Sequence, residues 1–260
     1  MAQIEAIESK NGKTYWIEQG DTLYSGRLQH GQYQKTNWDF AQTIIPQFRR
    51  CIDIGSNNAC NAIHYAERFE WVECFEPTQL AQQLWQKTIE ANGVENATLH
   101  TVALGEDART THMITHVRNG GHNHVTHYDK NPRATGTKRP LQTVNQTTLD
   151  SYNFEGVDFV KIDVEGYELF VLQGGLQTIL HNRPTLQLEL VEAQCRKFDY
   201  ARKDIADLFD TLNYGCVSKI NGWIDLRQHR EGRGEMDLFF VPQENTPLLP
   251  PKLALFEEAL

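Results

Sequence analysis

Two groups of residues in this sequence have the types and spacing to do chemistry. The first is the run Cys51-Ile52-Asp53-Ile54-Gly55-Ser56-Asn57-Asn58-Ala59-Cys60-Asn61. It passes from a short apolar strand through a polar turn into a helix. Ligands of open α/β sheets sit beyond the carboxyl ends of the strands, which is where this turn falls. Asp53 lies near the strand end, Gly55 permits the sharp turn, and the backbone of Ser56 and Asn57 would line a bound ligand. Glu76 ends a second strand 21 residues after Gly55, and Pro77 starts the helix that follows. A carboxylate at about that distance suits the hydroxyls of a ribose. The second group is the segment Val-Asp-Phe-Val-Lys-Ile-Asp-Val-Glu-Gly-Tyr-Glu, which begins at Val157. Its strand delivers Asp163 to its carboxyl end, and Glu165, Gly166 and Glu168 open a helix. Acidic residues there complement the helix dipole, so Glu165 and Glu168 also have a purely structural reading. Asp163 demands more, because a carboxylate at the end of a buried strand needs a partner.

The glycine content of the first turn bears on the ligand. Dinucleotides carry a pyrophosphate, and a G-x-G-x-x-G loop lets backbone amides approach it. Here Gly55 stands alone and the later glycines are absent. S-adenosylmethionine has no phosphate, so one glycine suffices, and the pattern favours that methyl donor. An ordinary strand–helix turn is the competing structural explanation.

The elements that must carry these groups follow from periodicity and turn signals. Residues 3–18 alternate around Asn11-Gly12 and predict a hairpin. A short helix is predicted over Trp38–Phe48. Strands are predicted at Cys51–Ile54, Trp71–Phe75, Thr98–Leu104, Val157–Asp163 and Thr185–Val191. Helices fall between them at Ala59–Phe69, at Thr78–Asn92 with Leu80, Leu84 and Ile89 as its apolar stripe, and at Glu165–Leu180. A last helix at Asp204–Leu212 precedes strands at Cys216–Ile220 and Met236–Val241. Alternating strands and helices predict an α/β fold with a mostly parallel sheet and an antiparallel pair at its end. The expected organisation is an N-terminal hairpin and helix over 1–49 and a main domain over 50–242. A polar β insertion on the substrate side occupies 107–146, and a tail runs over 243–260.

The pieces C-I-D-I-G-S-N-N, C-F-E-P, N-A-T-L-H-T-V-A-L-G, T-T-L-D-S, V-D-F-V-K-I-D-V-E-G-Y-E and R-P-T-L-Q-L-E-L run in the order of the FkbM methyltransferase family. The chain resembles that family over roughly residues 50–192, and the I-D-V-E-G-x-E block is specific to it. The resemblance implies a Rossmann-like class I methyltransferase fold with a seven-stranded sheet, S-adenosylmethionine as cofactor, and transfer to oxygen. It implies cofactor contacts from Asp53, Gly55, Ser56, Asn57 and Glu76, with Ala103 and Leu104 bordering the adenine; Asn61, at the end of the same turn, and Pro77, next to Glu76, are expected beside them. Asp163 and Glu165 would face the transferred methyl. The family's first motif usually continues G-A-N-x-G; here Ala59 replaces the second glycine, so the loop is expected to depart from the family there.

Methyl transfer to an alcohol needs a positioned acceptor and a base for its proton. Asp163, Glu165, His122 and His124 are the candidate catalytic residues. Asp163, Glu165, Glu189 and Glu192 supply hard oxygens that suit a divalent ion, although no metal is predicted. The stretch from His116 to His127 holds four histidines. It reads as a solvated loop, as an acceptor-binding loop with a catalytic histidine, or as a zinc site. Arg118, Lys138 and Arg139 add positive charge that could meet an anionic acceptor, or are ordinary surface charge.

Composition narrows the classes. A net charge of −9 over 260 residues disfavours nucleic acid as a partner. No apolar run reaches the roughly 20 residues that span a bilayer, and the first 19 residues lack a signal-peptide core, so no membrane partner and a cytoplasmic location are expected. Five cysteines without a C-x-x-C pair argue against a disulfide framework, a cysteine zinc site and a catalytic thiol. The leading expectation is an O-methyltransferase acting on a sugar, glycan or other small hydroxylated acceptor. A dinucleotide-dependent oxidoreductase and a non-catalytic nucleoside-binding module are the alternatives.

Overall fold

The structure, a computed structural model, describes residues 2–22, 24–31, 33–116, 120–126, 141–228 and 236–248. The chain opens with β1 (Ile4–Glu8) and β2 (Thr14–Glu18), the antiparallel hairpin expected around Asn11-Gly12. Next come α1 (Ser25–Gln29), α2 (Lys35–Ile44), β3 (Arg50–Ile54), α3 (Ala62–Tyr65), β4 (Trp71–Phe75), α4 (Gln79–Ala91) and β5 (Ala97–His100). Then β6 (Ala103–Leu104), β7 (Arg109–Ile114), β8 (His124–Thr126) and β9 (Leu141–Thr147) build the insertion. The second half runs β10 (Val157–Ile162), α5 (Glu168–Gln173), α6 (Leu176–Asn182), β11 (Thr185–Glu189), α7 (Glu192–Cys195), α8 (Arg202–Thr211), β12 (Tyr214–Ser218), β13 (Gly222–Trp223) and β14 (Asp237–Pro242).

The main sheet has eight strands in the order β13-β12-β14-β11-β10-β3-β4-β5. The five strands from β11 to β5 are parallel, and β14 pairs antiparallel with β11 and β12. The order reverses between β3 and β10, so their carboxyl ends form the switch point at which such sheets bind ligands. The two-residue β13 adds an eighth strand to the seven expected. The insertion is a separate sheet in the order β6-β9-β7-β8.

Side-chain alternation divides the core between the faces of the sheet. Ile52, Ile54, Val160 and Ile162 pack on one side with Leu172, Ile179, Ile205 and Phe209. Cys51, Cys74, Phe159 and Phe239 pack on the other with the hairpin residues Tyr15 and Ile17 and with Ala41, Ile44 and Trp85. The hairpin is fastened to α4: the Trp16 amide donates to Thr88 Oγ1 at 3.0 Å, and Asn92 Nδ2 donates to the Thr14 carbonyl at 2.6 Å. Leu84 and Ile89 are buried on α4 as expected, but Leu80 is only half-buried, and Ala81, Trp85 and Thr88 complete the inner face.

Three predicted elements are corrected. The strand expected over Thr98–Leu104 is two strands, because β6 leaves the main sheet and pairs in parallel with β9. The helix expected over Glu165–Leu180 is α5 and α6, broken at Gly174-Gly175. There the Asp150 amide donates to the Gly174 carbonyl, and a Cβ on Gly174 would lie 2.0 Å from the Gly105 carbonyl oxygen. The helix expected over Ala59–Phe69 shrinks to the single turn α3, because Asn57 and Ala59 take φ of 48° and 65°. Ala59 thus holds the left-handed backbone that glycine favours, with its methyl fully buried. His127, Arg118, Lys138, Arg139 and the tail beyond 248 lie outside the described residues. No helix among the described residues is long and apolar enough to cross a membrane.

One glycine sets the spacing of the two central loops. Gly55 has φ of 84°, and a Cβ there would lie 2.0 Å from the Asp163 carbonyl oxygen. Gly55→Ala therefore adds a backbone collision to a left-handed strain of about 1–2 kcal/mol. The expected loss of stability exceeds ~4 kcal/mol, read as a large fall in Tm or failure to fold.

Candidate active site

A cavity of about 430 Å³ opens over the carboxyl ends of β3, β4 and β10. Of the residues expected to contact a cofactor, Gly55, Asn57, Asn61, Glu76, Pro77, Ala103 and Leu104 line it, and so do Asp163, Glu165 and His122 from the catalytic set. Asp53, Ser56 and His124 do not, and each has a physical reason. Asp53 is completely buried beneath the turn, in register with Lys161 on β10. The Ser56 hydroxyl accepts a hydrogen bond from Trp85 Nε1 at 3.1 Å inside the core. His124 lies on β8, and its Nδ1 donates to the His122 carbonyl at 2.9 Å.

Glu76 lines the cavity at the end of β4 with its carboxylate partly committed. One oxygen accepts from the Thr78 amide at 2.8 Å and from the Thr78 hydroxyl at 2.6 Å. The other accepts from the Asn57 amide at 3.2 Å. A carboxylate has about four lone-pair directions. One remains, on the oxygen that also steadies the turn, so Glu76 has room for one ribose hydroxyl rather than the two a free carboxylate would take. Burial pushes the Glu76 carboxyl above its ordinary pKa, and its hydrogen bonds with Thr78 and Asn57 oppose that.

At the other end, ligand oxygens of Asp163, Glu165 and Glu189 lie within 4.8 Å of one another. Lys161 floors this group. It is 1% exposed, with Nζ 2.9 Å from Asp163 Oδ2 and 3.9 Å from Asp53 Oδ1. Burial works against the Lys161 charge, but Asp163 and Asp53 outweigh it and raise the ammonium's pKa. Burial and the neighbouring Asp163 push Glu165 up to about 8. Repulsion from Asp163, then burial, pushes Glu189 up to about 10. Glu165 itself stands at φ 59°, its carboxylate gripped by Gln194 Nε2 at 2.5 Å and by His122 Nδ1 at 3.2 Å. With the proton on Nδ1, His122 keeps Nε2 as an acceptor. The donor set is of the hard-oxygen kind that a divalent ion takes. Glu192, expected near it, instead accepts from the Arg202 amide at 3.1 Å and pairs with Arg196. Among the described residues the histidines do not bring three ligand atoms together.

Glu168 is not in the cavity wall. It is buried in the first turn of α5, where it takes the amides of Val164 and Gly166 and the Tyr200 hydroxyl. Its structural reading holds. All five cysteines are free thiols, and burial raises Cys51, Cys60, Cys74 and Cys195, the last to about 12. None has the electropositive setting of a reactive thiolate. The sequence reading missed the whole far wall. Tyr24, Arg27, Tyr33, Gln34 and Asn37 come from α1, α2 and their connection, and Lys219, Met236 and Asp237 from the far edge of the sheet. They carry no motif and meet only through the fold.

The model of the FkbM methyltransferase domain matches residues 53–216, from the buried Asp53 to β12. The chain belongs to the FkbM methyltransferase family. No curated protein matches it. Among solved structures, an FkbM methyltransferase from Methylobacillus flagellatus KT is 19% identical with a TM-score of 0.47, covering 74% of this chain. This chain spans 43% of that protein's length. A Streptococcus mutans protein described as a methyltransferase, in complex with SAH, is 10% identical with a TM-score of 0.45, covering 79% of this chain and 94% of its own.

The carboxylate group sets a pH dependence of stability. Glu165 and Glu189 keep their protons in the folded protein above the ordinary value of 4.5. Their contribution is complete below that value and is lost as pH rises through the folded values of about 8 and about 10. Tm should therefore fall between pH 6 and pH 9. Glu189→Gln, neutral throughout, should flatten that fall and overtake the wild type at the alkaline end. Parallel melting curves for the two proteins would refute the assignment.

Proposed function

We propose that this FkbM-family chain transfers the methyl group of S-adenosylmethionine to a hydroxyl oxygen of a sugar or other small hydroxylated acceptor. One observation carries the reading: a single cavity has the remaining acceptor direction of Glu76 in one wall and the His122–Glu165 pair in another. The first suits a ribose hydroxyl, and the second suits the proton of an acceptor alcohol. Bound there, S-adenosylmethionine supplies an electrophilic methyl on a sulfonium.

The chain's own residues divide the remaining work. Glu76 and the Asn57 turn hold the nucleoside, and Pro77, Ala103 and Leu104 give its base an apolar border. His122 Nε2 takes the hydroxyl proton while Glu165 holds Nδ1 and stabilises the charge that forms. This is the same logic by which a carboxylate orients a histidine base elsewhere. Glu165, raised to about 8, lies close enough to neutral pH to share that proton. Asp163 is held by Lys161 and lines the cavity as a fixed negative group facing the cationic end of the cofactor. Asp53 acts beneath the turn, as counter-charge to Lys161, rather than on the ligand.

Titration with S-adenosylmethionine, SAH and NAD tests the reading by calorimetry. Both sulfur nucleosides should bind and NAD should not; NAD binding alone would sink it. Glu76→Ala should weaken SAH binding by about 1–3 kcal/mol. His122→Asn should lower kcat by ~10²–10⁴ with SAH affinity unchanged. Unimpaired turnover in that variant would move the base elsewhere.

A further inference from the structure

We propose that the acceptor carries an anionic group, a phosphate or a carboxylate, and that Arg27 and Lys219 recognise it in the far wall of the cavity. The inference rests on the methyltransferase reading above and narrows its acceptor.

The argument begins with charge. The chain carries a net −9, and the cavity is lined by Glu76, Asp163, Glu165, Glu189 and Asp237. Cations in such a wall are expected to be consumed by these carboxylates. Lys161 is consumed, by Asp163 and Asp53, and His122 is engaged by Glu165. Arg27 and Lys219 also line the cavity, yet among the described residues neither pairs with a carboxylate. Lys219 is half-buried, and its ammonium donates only to the neutral side-chain oxygens of Asn37 and Thr36. A partly desolvated ammonium with neutral partners lacks a counter-charge, and an anionic ligand supplies one. Arg27, in the last turn of α1, presents a guanidinium fork that matches a carboxylate or phosphate.

The surfaces beside these cations are those of a hydroxylated ligand. Tyr24 and Tyr33 pack at 5.1 Å between ring centroids, with both rings in the cavity wall. Aromatic faces with a few placed polar groups are the usual lining for a small polar molecule. The carboxylates also orient the acceptor. Asp163, Glu165 and Glu189 already crowd their oxygens within 4.8 Å of one another, which leaves that end ill suited to a further negative charge, so the reacting hydroxyl faces it and the anionic group faces Arg27 and Lys219.

The test uses the full chain saturated with SAH. Inorganic phosphate, glucose 1-phosphate, glucuronate and neutral glucose are titrated separately into wild type, Arg27→Ala and Lys219→Met. Arg27 is exposed, so its variant should fold, and a Tm check covers Lys219→Met. The expected result is binding of at least one anion to wild type, tenfold or more weaker in each variant. That binding should weaken further with added salt, with glucose at least tenfold weaker than the anion. Phosphate and glucose 1-phosphate against glucuronate separate the two sources of the charge. Glucose binding as tightly as the anions, no anion binding at all, or anion binding unchanged in both variants would overturn the proposal. Failure of SAH itself to bind would overturn the methyltransferase reading instead.

Discussion

The buried ammonium of Lys161 is the constraint on which the rest of the site depends. It lies on the central strand β10, beside Asp53 on β3 and beneath Asp163. Taking such charges out of water is costly, and removing one partner of a buried pair typically costs about 3–5 kcal/mol. Lys161 therefore holds the two strands at the switch point to one another and fixes the position of Asp163 at the cavity wall. It cannot neutralise the remaining acids, so Glu189 keeps its proton and Glu165, raised to about 8, is poised to share one with His122. A site with an excess of acid over base in a largely buried wall is suited to moving a proton near neutral pH.

The second constraint is steric. Gly55 lets the β3 turn lie against the Asp163 carbonyl, so the loops that follow β3 and β10 are set by one contact. Ala59 shows how far the loop tolerates departure. It keeps a left-handed backbone at a position where an alanine is strained, and its buried methyl packs in return. The altered motif thus changes the residue while the chain still turns as a glycine would.

Much of this was legible in the sequence. The hairpin, β4, β10 and β14 follow from alternation, turn residues and apolar runs, and the Gly55 turn, Glu76 and Asp163 follow from their place at strand ends. What failed did so where tertiary contacts overrule local pattern. Gly174 reads as a tolerated glycine in a helix until the Gly105 backbone is found against it. Asp53 reads as a ligand contact until Lys161 is found in register with it, because pairing between β3 and β10 joins residues far apart in the chain. His122 and His124 look equivalent in sequence, and only the turn at Gly120–His122 turns one toward Glu165 and the other onto a carbonyl.

The segment matched by the family begins at Asp53 and ends at Cys216. Tyr24, Arg27, Tyr33 and Asn37 come before it, and Lys219, Met236 and Asp237 come after it. The half of the cavity around Gly55, Asn57 and Glu76 is thus encoded by the shared segment, while much of the opposite half is assembled from both flanks. Family membership consequently says little about what is methylated. On the proposed reading, a chimera that exchanged only the flanks between two such proteins would change the acceptor choice and leave the donor machinery in place.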